Sequence, residues 1–172
     1  RTIYWEVQQF EKKIVKNEDT YWLIFELIWR DYFRFLHFKY GARLYRSEGL
    51  SDQRSNRFDE VKFNQWASGN TGNSFIDAGM RELKATGFVS NRMRQIVASY
   101  WIYEMKGDWR VGAAWFESQL IDYDVYSNQG NWLYIAGKGT DPRGGRPFNV
   151  AKQAKDHDPH GVYQRMWLGD LG

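Results

Sequence analysis

The stretch from Asn17 to Gly41, NEDTYWLIFELIWRDYFRFLHFKYG, leaves little choice but a helix. Trp22, Phe25, Trp29, Phe33 and Leu36 recur at three- and four-residue steps, which makes one apolar stripe on a 3.6-residue turn. Asp19 or Thr20 offers a cap, and Gly41 offers a stop. Glu26, Trp29 and Arg30 fall together beside the stripe, so this helix can show a cavity both charge and a ring.

The helical period continues down the chain. Residues 42–56, ARLYRSEGLSDQRSN, read as a polar surface loop. FDEVKFNQWASG predicts a short helix ending near Gly69. Asn73 or Ser74 caps a helix that runs to Gly87, Ser90 caps the next, and Asp108 caps the one that follows. A loop, AGKGTDPRGGRPFN, precedes a last short helix around VYQRMWLGDL. Strand alternation is nowhere sustained and no repeat is visible, so the expected class is all-α.

Composition narrows the function. A chain of 172 residues can bury a substantial core. Nine Trp and an aromatic share of 18% exceed what a core of ordinary make-up uses, leaving candidates for stacking on a base or a flavin. A net charge of +3 permits a nucleic-acid partner without demanding one. With no Cys there is no disulfide, thiolate or Cys-ligated zinc. His37, His157 and His160 are too few and too scattered for a metal site, so no metal is expected. The best apolar run, YWLIFELIWRDYF, is broken by Glu26, Arg30 and Asp31, well short of the ~20 residues a membrane span needs. GKGTDPRGG lacks the Lys-Ser/Thr that would open a helix under a phosphate. The chain opens on Arg1, as a processed product or part of something longer would.

The segment LIDYDVYSNQGNWLY poses a sharper question. Asp124, Asn128 and Trp132 recur every four residues and share a face if the segment begins helical, with Gly130 expected to break that helix or to admit a close neighbour. Acids and an amide beside a large ring suit an object that is polar and flat.

Four blocks in order, ELIWRD, GNTGNSFIDAGMREL, GFVSNRMRQIVASY and DWRVGAAWFESQLIDYDVYSNQGNW, closely resemble the C-terminal helical, FAD-binding half of the photolyase/cryptochrome family, over nearly the whole chain from Glu26 to Leu171. The phrases TYWLIFELIWRDYF, SNRMRQIVAS and GTDPRGGRPFNVAKQAKDHDPHGVY look most like the DASH cryptochromes. Gln95 stands where cyclobutane-dimer photolyases carry Met, and Tyr134 where they carry a second Trp.

The resemblance implies that the flat object is the isoalloxazine of FAD. It implies Asn128 facing flavin N5, Asp124 at the ring's polar edge, and Arg94 paired with Asp122 as a buried charge pair beside the cofactor. Trp132 and Trp109 match the inner and middle members of the family's electron-transfer chain. Asn56 occupies the place of its outer Trp, so either the route leaves Trp109 by another residue or photoreduction is weak. Glu26 and Trp29 match the acid and the stacking wall of the cavity that takes a flipped lesion, with Asn91 meeting the lesion there. Arg30, Arg92, Gln95, Tyr134 and Gln153 match DNA-contacting positions, to which Arg143, Arg146 and Lys152 add basic charge.

Gln95 and Tyr134 make that cavity less apolar. Extruding a base from a duplex costs a few kcal/mol, least when it is already single-stranded. Burial recovers roughly 25 cal/mol per Å2 of apolar surface, so a more polar cavity returns less of that cost. The implied substrate is therefore a cyclobutane pyrimidine dimer in single-stranded DNA. By the same resemblance, residues 1–172 are the C-terminal part of the helical domain. The α/β domain with its antenna pigment, expected to be a folate, and the loop that binds the flavin pyrophosphate lie outside this chain. A monomer without a membrane partner is implied, intracellular, cytoplasmic in a bacterium or within an organelle in a eukaryote.

Three functions compete on these residues. They are a light-driven photolyase, a blue-light receptor signalling through its flavin, and a flavin-free binder of single-stranded nucleic acid. Glu26 and Trp29 favour the first, since a receptor needs no lesion cavity. Asp122 and Asp124 argue against the third, since acids in a phosphate groove repel DNA.

Overall fold

A computed structural model describes residues 1–169. The described residues form nine α-helices joined by turns, one 3-10 segment and one π segment, with no strand among them. The end of the predicted VYQRMWLGDL helix, Asp170 and Leu171, lies outside the described residues.

The chain divides into two compact units. The first, Arg1–Gly41, holds α1 (Thr2–Lys13), which the sequence reading did not anticipate, and α2 (Glu18–Tyr40). The cap of α2 is Asn17 rather than Asp19 or Thr20. Its side chain accepts from Thr20 N at 3.0 Å, while Thr20 Oγ1 accepts from Asn17 N, which is a reciprocal capping box. Thr20 Oγ1 also donates to Glu11 Oε1 at 2.7 Å and ties α1 to α2. Of the predicted stripe, Phe33 is buried and Phe25, Trp29 and Leu36 are half-buried, but Trp22 is exposed. Within its unit α2 has α1 as its one helical partner, so it buries only part of an apolar stripe.

The second unit begins at Ala42. It contains α3 (Glu60–Ser68), α4 (Ser74–Thr86), α5 (Asn91–Ser99), α6 (Trp109–Gln119), α7 (Val125–Ile135), α8 (Val150–His157) and α9 (Val162–Leu168). The anticipated caps Asn73, Ser90 and Asp108 each accept a hydrogen bond from the first turn of their helix, and Asp59 does the same for α3. The loop 42–56 is more ordered than its composition implied. It opens with the 3-10 segment Gly41–Tyr45 and buries Leu44. Helix α8 inside the basic C-terminal stretch was also not anticipated, because its alternation of Lys, Ala and Asp carries no apolar stripe.

Four indoles, Trp66, Trp101, Trp109 and Trp132, are almost wholly buried and form the centre of this unit. Burying each removes on the order of 150–250 Å2 from water, roughly 4–6 kcal/mol gross. Three of them donate their N–H to backbone: Trp66 Nε1 donates to Val97 O at 3.1 Å, and Trp101 Nε1 to Asp108 O at 2.8 Å. Trp109 Nε1 donates to Ser47 O at 3.2 Å and so fastens the 42–56 loop. Beyond Ser99 helix α5 widens into the π segment Tyr100–Glu104, after which Gly107 folds back over the Trp101 ring.

Asp77 is the acid that shapes the GNTGN turn. Its Oδ1 accepts from Thr71 N at 2.8 Å and Thr71 Oγ1 at 2.7 Å, and its Oδ2 from Gly72 N at 3.1 Å. Hydrogen bonds to a charged group contribute about 1.5–3 kcal/mol each, and the donors left behind lie partly buried. Asp77→Ala is therefore expected to destabilise the protein by about 3 kcal/mol or more, read as a lower urea midpoint at equilibrium.

Candidate functional site

Gly87 ends α4 at a φ of 70°, where a Cβ would meet Ile121 Cγ2 at 2.7 Å and Gln119 O at 2.9 Å. Its carbonyl accepts from Ile121 N at 2.9 Å, so the end of α4 and the turn that carries Asp122 are held side by side. Arg94 then reaches Asp122: Nη2 donates to Oδ1 at 3.0 Å and to Oδ2 at 2.9 Å. Nε donates to Val89 O at 2.8 Å, and the guanidinium lies 5.3 Å over the Phe88 ring. The expected pair thus forms, but it is not buried in this chain, because the Asp122 side chain is 48% exposed. Solvent screens such a pair, so its contribution here is to aim Arg94 rather than to add stability.

Asp124 is the N-cap of α7, its Oδ1 accepting from Ser127 N at 2.9 Å. Gly130 lies inside that helix and is buried. It does not break it, since residues before and after it continue the ladder. Asn128 and Trp132 therefore share a face one turn apart. Asn128 Nδ2 donates to Ala113 O at 3.0 Å, which fixes the amide and leaves Oδ1 as an acceptor that no donor reaches among the described residues. Asn128 also borders a cavity of about 230 Å3 with Tyr45, Ala113, Glu117 and Tyr123. Burial, with the Glu117 carboxylate adding to it, pushes the Tyr123 phenol up to about 12.

Trp132 is fixed by contact on several sides. It meets Phe116 edge-on at 5.2 Å and Trp66 edge-on at 6.2 Å between ring centroids. Gly112 of α6 lies under the ring, so close that a Cβ there would come within 2.6 Å of Trp132 Cζ3. Trp109, by contrast, has no ring partner among the described residues. Asn56 is exposed, and its Nδ2 donates to Gly107 O at 3.5 Å, two residues before Trp109.

Tyr134 belongs to a polar cluster that the sequence did not disclose. Arg146 donates from Nη2 to Tyr134 Oη at 2.5 Å and lies 4.8 Å over its ring. Arg146 Nε donates to Asp141 Oδ2 at 2.7 Å, and the Asp141 side chain is fully buried. Hydrogen bonding to Arg146 holds the Asp141 carboxyl below the usual carboxylate range. Arg146 had been counted only as loop charge, and nothing in GTDPRGGRPFN marks Asp141 as its partner. Arg92 is exposed, with Nη1 at 3.5 Å from Gln95 Oε1 and the guanidinium 5.9 Å over Phe148. Asn91 opens α5 and is exposed. Gln153 lies in α8 with Oε1 buried and without a hydrogen-bond partner.

Glu26, Trp29 and Arg30 belong to the first unit. Glu26 and Arg30 stand one turn apart on α2, and both are exposed. Trp29 packs against Phe33 at 5.5 Å and edge-on against Tyr32 at 5.5 Å. Among the described residues no three His, Cys, Asp or Glu side chains come together as metal ligands, and no helix is long and apolar enough to cross a membrane.

The helical core thus sets an oriented amide, a guanidinium–carboxylate pair and a buried indole around the start of α7. Residues 22–172 match the family described as the FAD binding domain of DNA photolyase, and the chain belongs to that family. It is similar to the protein named cryptochrome DASH from Gloeobacter violaceus, 54% identical over 99% of this chain and 34% of that protein. The crystal structure of Synechocystis cryptochrome superposes with a TM-score of 0.94 at 53% identity, over 99% of this chain and 36% of that one. A bacterial class III photolyase from Agrobacterium tumefaciens follows at a TM-score of 0.86 and 33% identity, over 98% of this chain and 35% of that one. The chain thus spans about a third of the length of the relatives it matches. The donor set fits the family's cofactor: Asn128 Oδ1 is an unused acceptor for a ring N–H, and Arg94 is a fixed cation at the entry to the same helix.

Proposed function

We propose that this chain is the C-terminal part of the flavin-holding domain of a DASH-type cryptochrome that repairs cyclobutane pyrimidine dimers in light, preferentially in single-stranded DNA. The observation that carries this reading is Asn128, pinned through Nδ2 to Ala113 O with its carbonyl oxygen unspent, one turn before buried Trp132. A flavin held here would supply the light-driven single-electron chemistry that opening the two bonds between the pyrimidines requires.

The chain's own residues hold and orient. Asn128 and Asp124 meet the ring's polar side, and Arg94, aimed by Asp122, offers fixed positive charge beside a cofactor whose charge changes. In the first unit Glu26 is the acid for the pyrimidine edge and Trp29 the ring for stacking on the base, and in the second unit Asn91, Gln95 and Tyr134 are the residues offered to the lesion. Arg92, Arg30 and Gln153 engage the strand, Arg92 through phosphate. The polar Gln95 and the Arg146-capped Tyr134 replace apolar lining, which supports the single-strand preference. The greater length of the relatives leaves room for a preceding domain carrying a folate antenna.

The test uses the full-length protein. A structured blue absorption band that is lost in Asn128→Leu, together with light-dependent restoration of a dimer-bearing single-stranded oligonucleotide, is the expected result. A coloured protein that changes shape in light but leaves the dimer intact supports the receptor instead. A colourless protein that takes up no FAD rules out both.

A further inference from the structure

The second unit contains more connected aromatic surface than the proposed chemistry uses. Trp132 touches Trp66 edge-on, and Trp66 stacks on Trp101 with centroids 5.2 Å apart and planes at 29°. Phe63 then contacts Trp66 at 6.4 Å and Trp101 at 6.0 Å on one side, and Trp115 at 5.8 Å on the other. Trp115 is half-buried, and its Nε1 is shut from water without a hydrogen-bond partner. Every step of this series is a ring contact. Trp109 makes none among the described residues, and Asn56, whose amide donates to Gly107 O two residues before it, carries no ring to oxidise.

We propose that an oxidising equivalent formed at Trp132 leaves through the stacked pair Trp66–Trp101 and crosses Phe63 to Trp115, with Trp109 as a side branch. The proposal rests on the flavin reading above. Trp132 gives one electron to the light-excited flavin and becomes a radical cation. Trp66, sharing the resulting charge with Trp101, returns one electron to Trp132, and Trp115 returns one to the pair through Phe63. The flavin has gained one electron and Trp115 has lost one. An external thiol restores Trp115 across its exposed edge and is itself oxidised to a thiyl radical and a proton.

Two physical features favour this direction. Stacking spreads a positive charge over two indoles, which makes the Trp66–Trp101 pair easier to oxidise than a lone ring. The indole N–H groups of Trp66 and Trp101 donate to carbonyl oxygens, which stabilise positive charge but are too weakly basic to take the proton. Trp115 Nε1 faces no acceptor at all, so the terminal species keeps its proton.

The test is flash photolysis of the full-length, flavin-loaded protein, following the tryptophan radical rather than repair. The wild type is expected to give a long-lived radical cation, and Trp115→Phe to lose it while keeping flavin absorption. Trp66→Phe is expected to lose it as well and to lose the paired-indole circular-dichroism couplet, a readout that needs no flavin. Asn56→Trp in the Trp66→Phe background is expected to restore a long-lived radical by giving Trp109 an outlet. Persistence of the signal in Trp115→Phe with its loss in Trp109→Phe overturns the route but leaves the flavin reading intact. A protein that binds no flavin overturns both together.

Discussion

Gly107→Ala is expected to unfold the second unit or to weaken it by about 3 kcal/mol or more. A Cβ at this position would fall on the Cε2, Cδ2 and Cζ2 atoms of Trp101, and that ring cannot retreat. Its N–H is held by Asp108 O, Trp66 stacks on it, and it is completely buried. The backbone cannot retreat either, because Gly107 N donates to Trp101 O at 2.8 Å and closes the π segment. Gly112→Ala supplies a control of opposite local sign. Gly to Ala inside a helix ordinarily gains about 1 kcal/mol, yet here the new methyl would strike Trp132. A loss of stability in both variants by equilibrium urea unfolding establishes packing against the indoles as the cause. A gain in Gly112→Ala would show that the rings have slack.

Trp29→Ala is expected to weaken binding of a dimer-bearing single-stranded oligonucleotide by about fivefold to 150-fold, since stacking of a base on an aromatic ring contributes roughly 1–3 kcal/mol. Undamaged oligonucleotide is the internal reference. A stacking wall inside a lesion cavity changes the ratio of damaged to undamaged affinity, whereas an unfolded α2 lowers both. Trp29 packs on Phe33 and Tyr32, so circular dichroism is needed to show the helix intact. Equal loss for both DNAs removes Trp29 from the lesion site.

The elements legible in the sequence were those that local chemistry dictates. Asn73, Ser90 and Asp108 cap their helices because their side chains bond the first turn, a signal confined to four residues. The same signal misled at α2, where Asn17, Glu18, Asp19 and Thr20 are all competent and only the reciprocal bond with Thr20 selects Asn17. Gly130 was read as a breaker or as a place of close approach, and of these the break does not occur, because glycine propensity is local whereas the burial around this helical residue is tertiary. At the candidate site, the family resemblance singled out Asn128, Asp122 and Arg94 and paired the last two, which do meet, but it did not say what orients Asn128. The Ala113 carbonyl that orients Asn128 and the Asp141–Arg146–Tyr134 cluster join residues whose pairing no spacing rule encodes. The Arg94–Asp122 pair was expected to be buried, whereas the Asp122 side chain is 48% exposed, a property that residue spacing does not report.

The Asp141–Arg146 pair also sets how the basic C-terminal segment would meet a nucleic acid under the proposed function. A cation strengthens binding to a strand by releasing the counterions condensed on a phosphate, and each such phosphate steepens the salt dependence by about 0.7 for single strands. Arg146 already has a counterion, built into the fold as a buried carboxylate. It cannot exchange that partner for a phosphate without leaving Asp141 charged and alone in the interior. Arg143 and Lys152, both exposed, remain available for that exchange. If the proposed function holds, the segment would grip a strand with less salt-sensitive force than its count of basic residues implies, and the charge withheld from the strand is spent on keeping one tyrosine ring still.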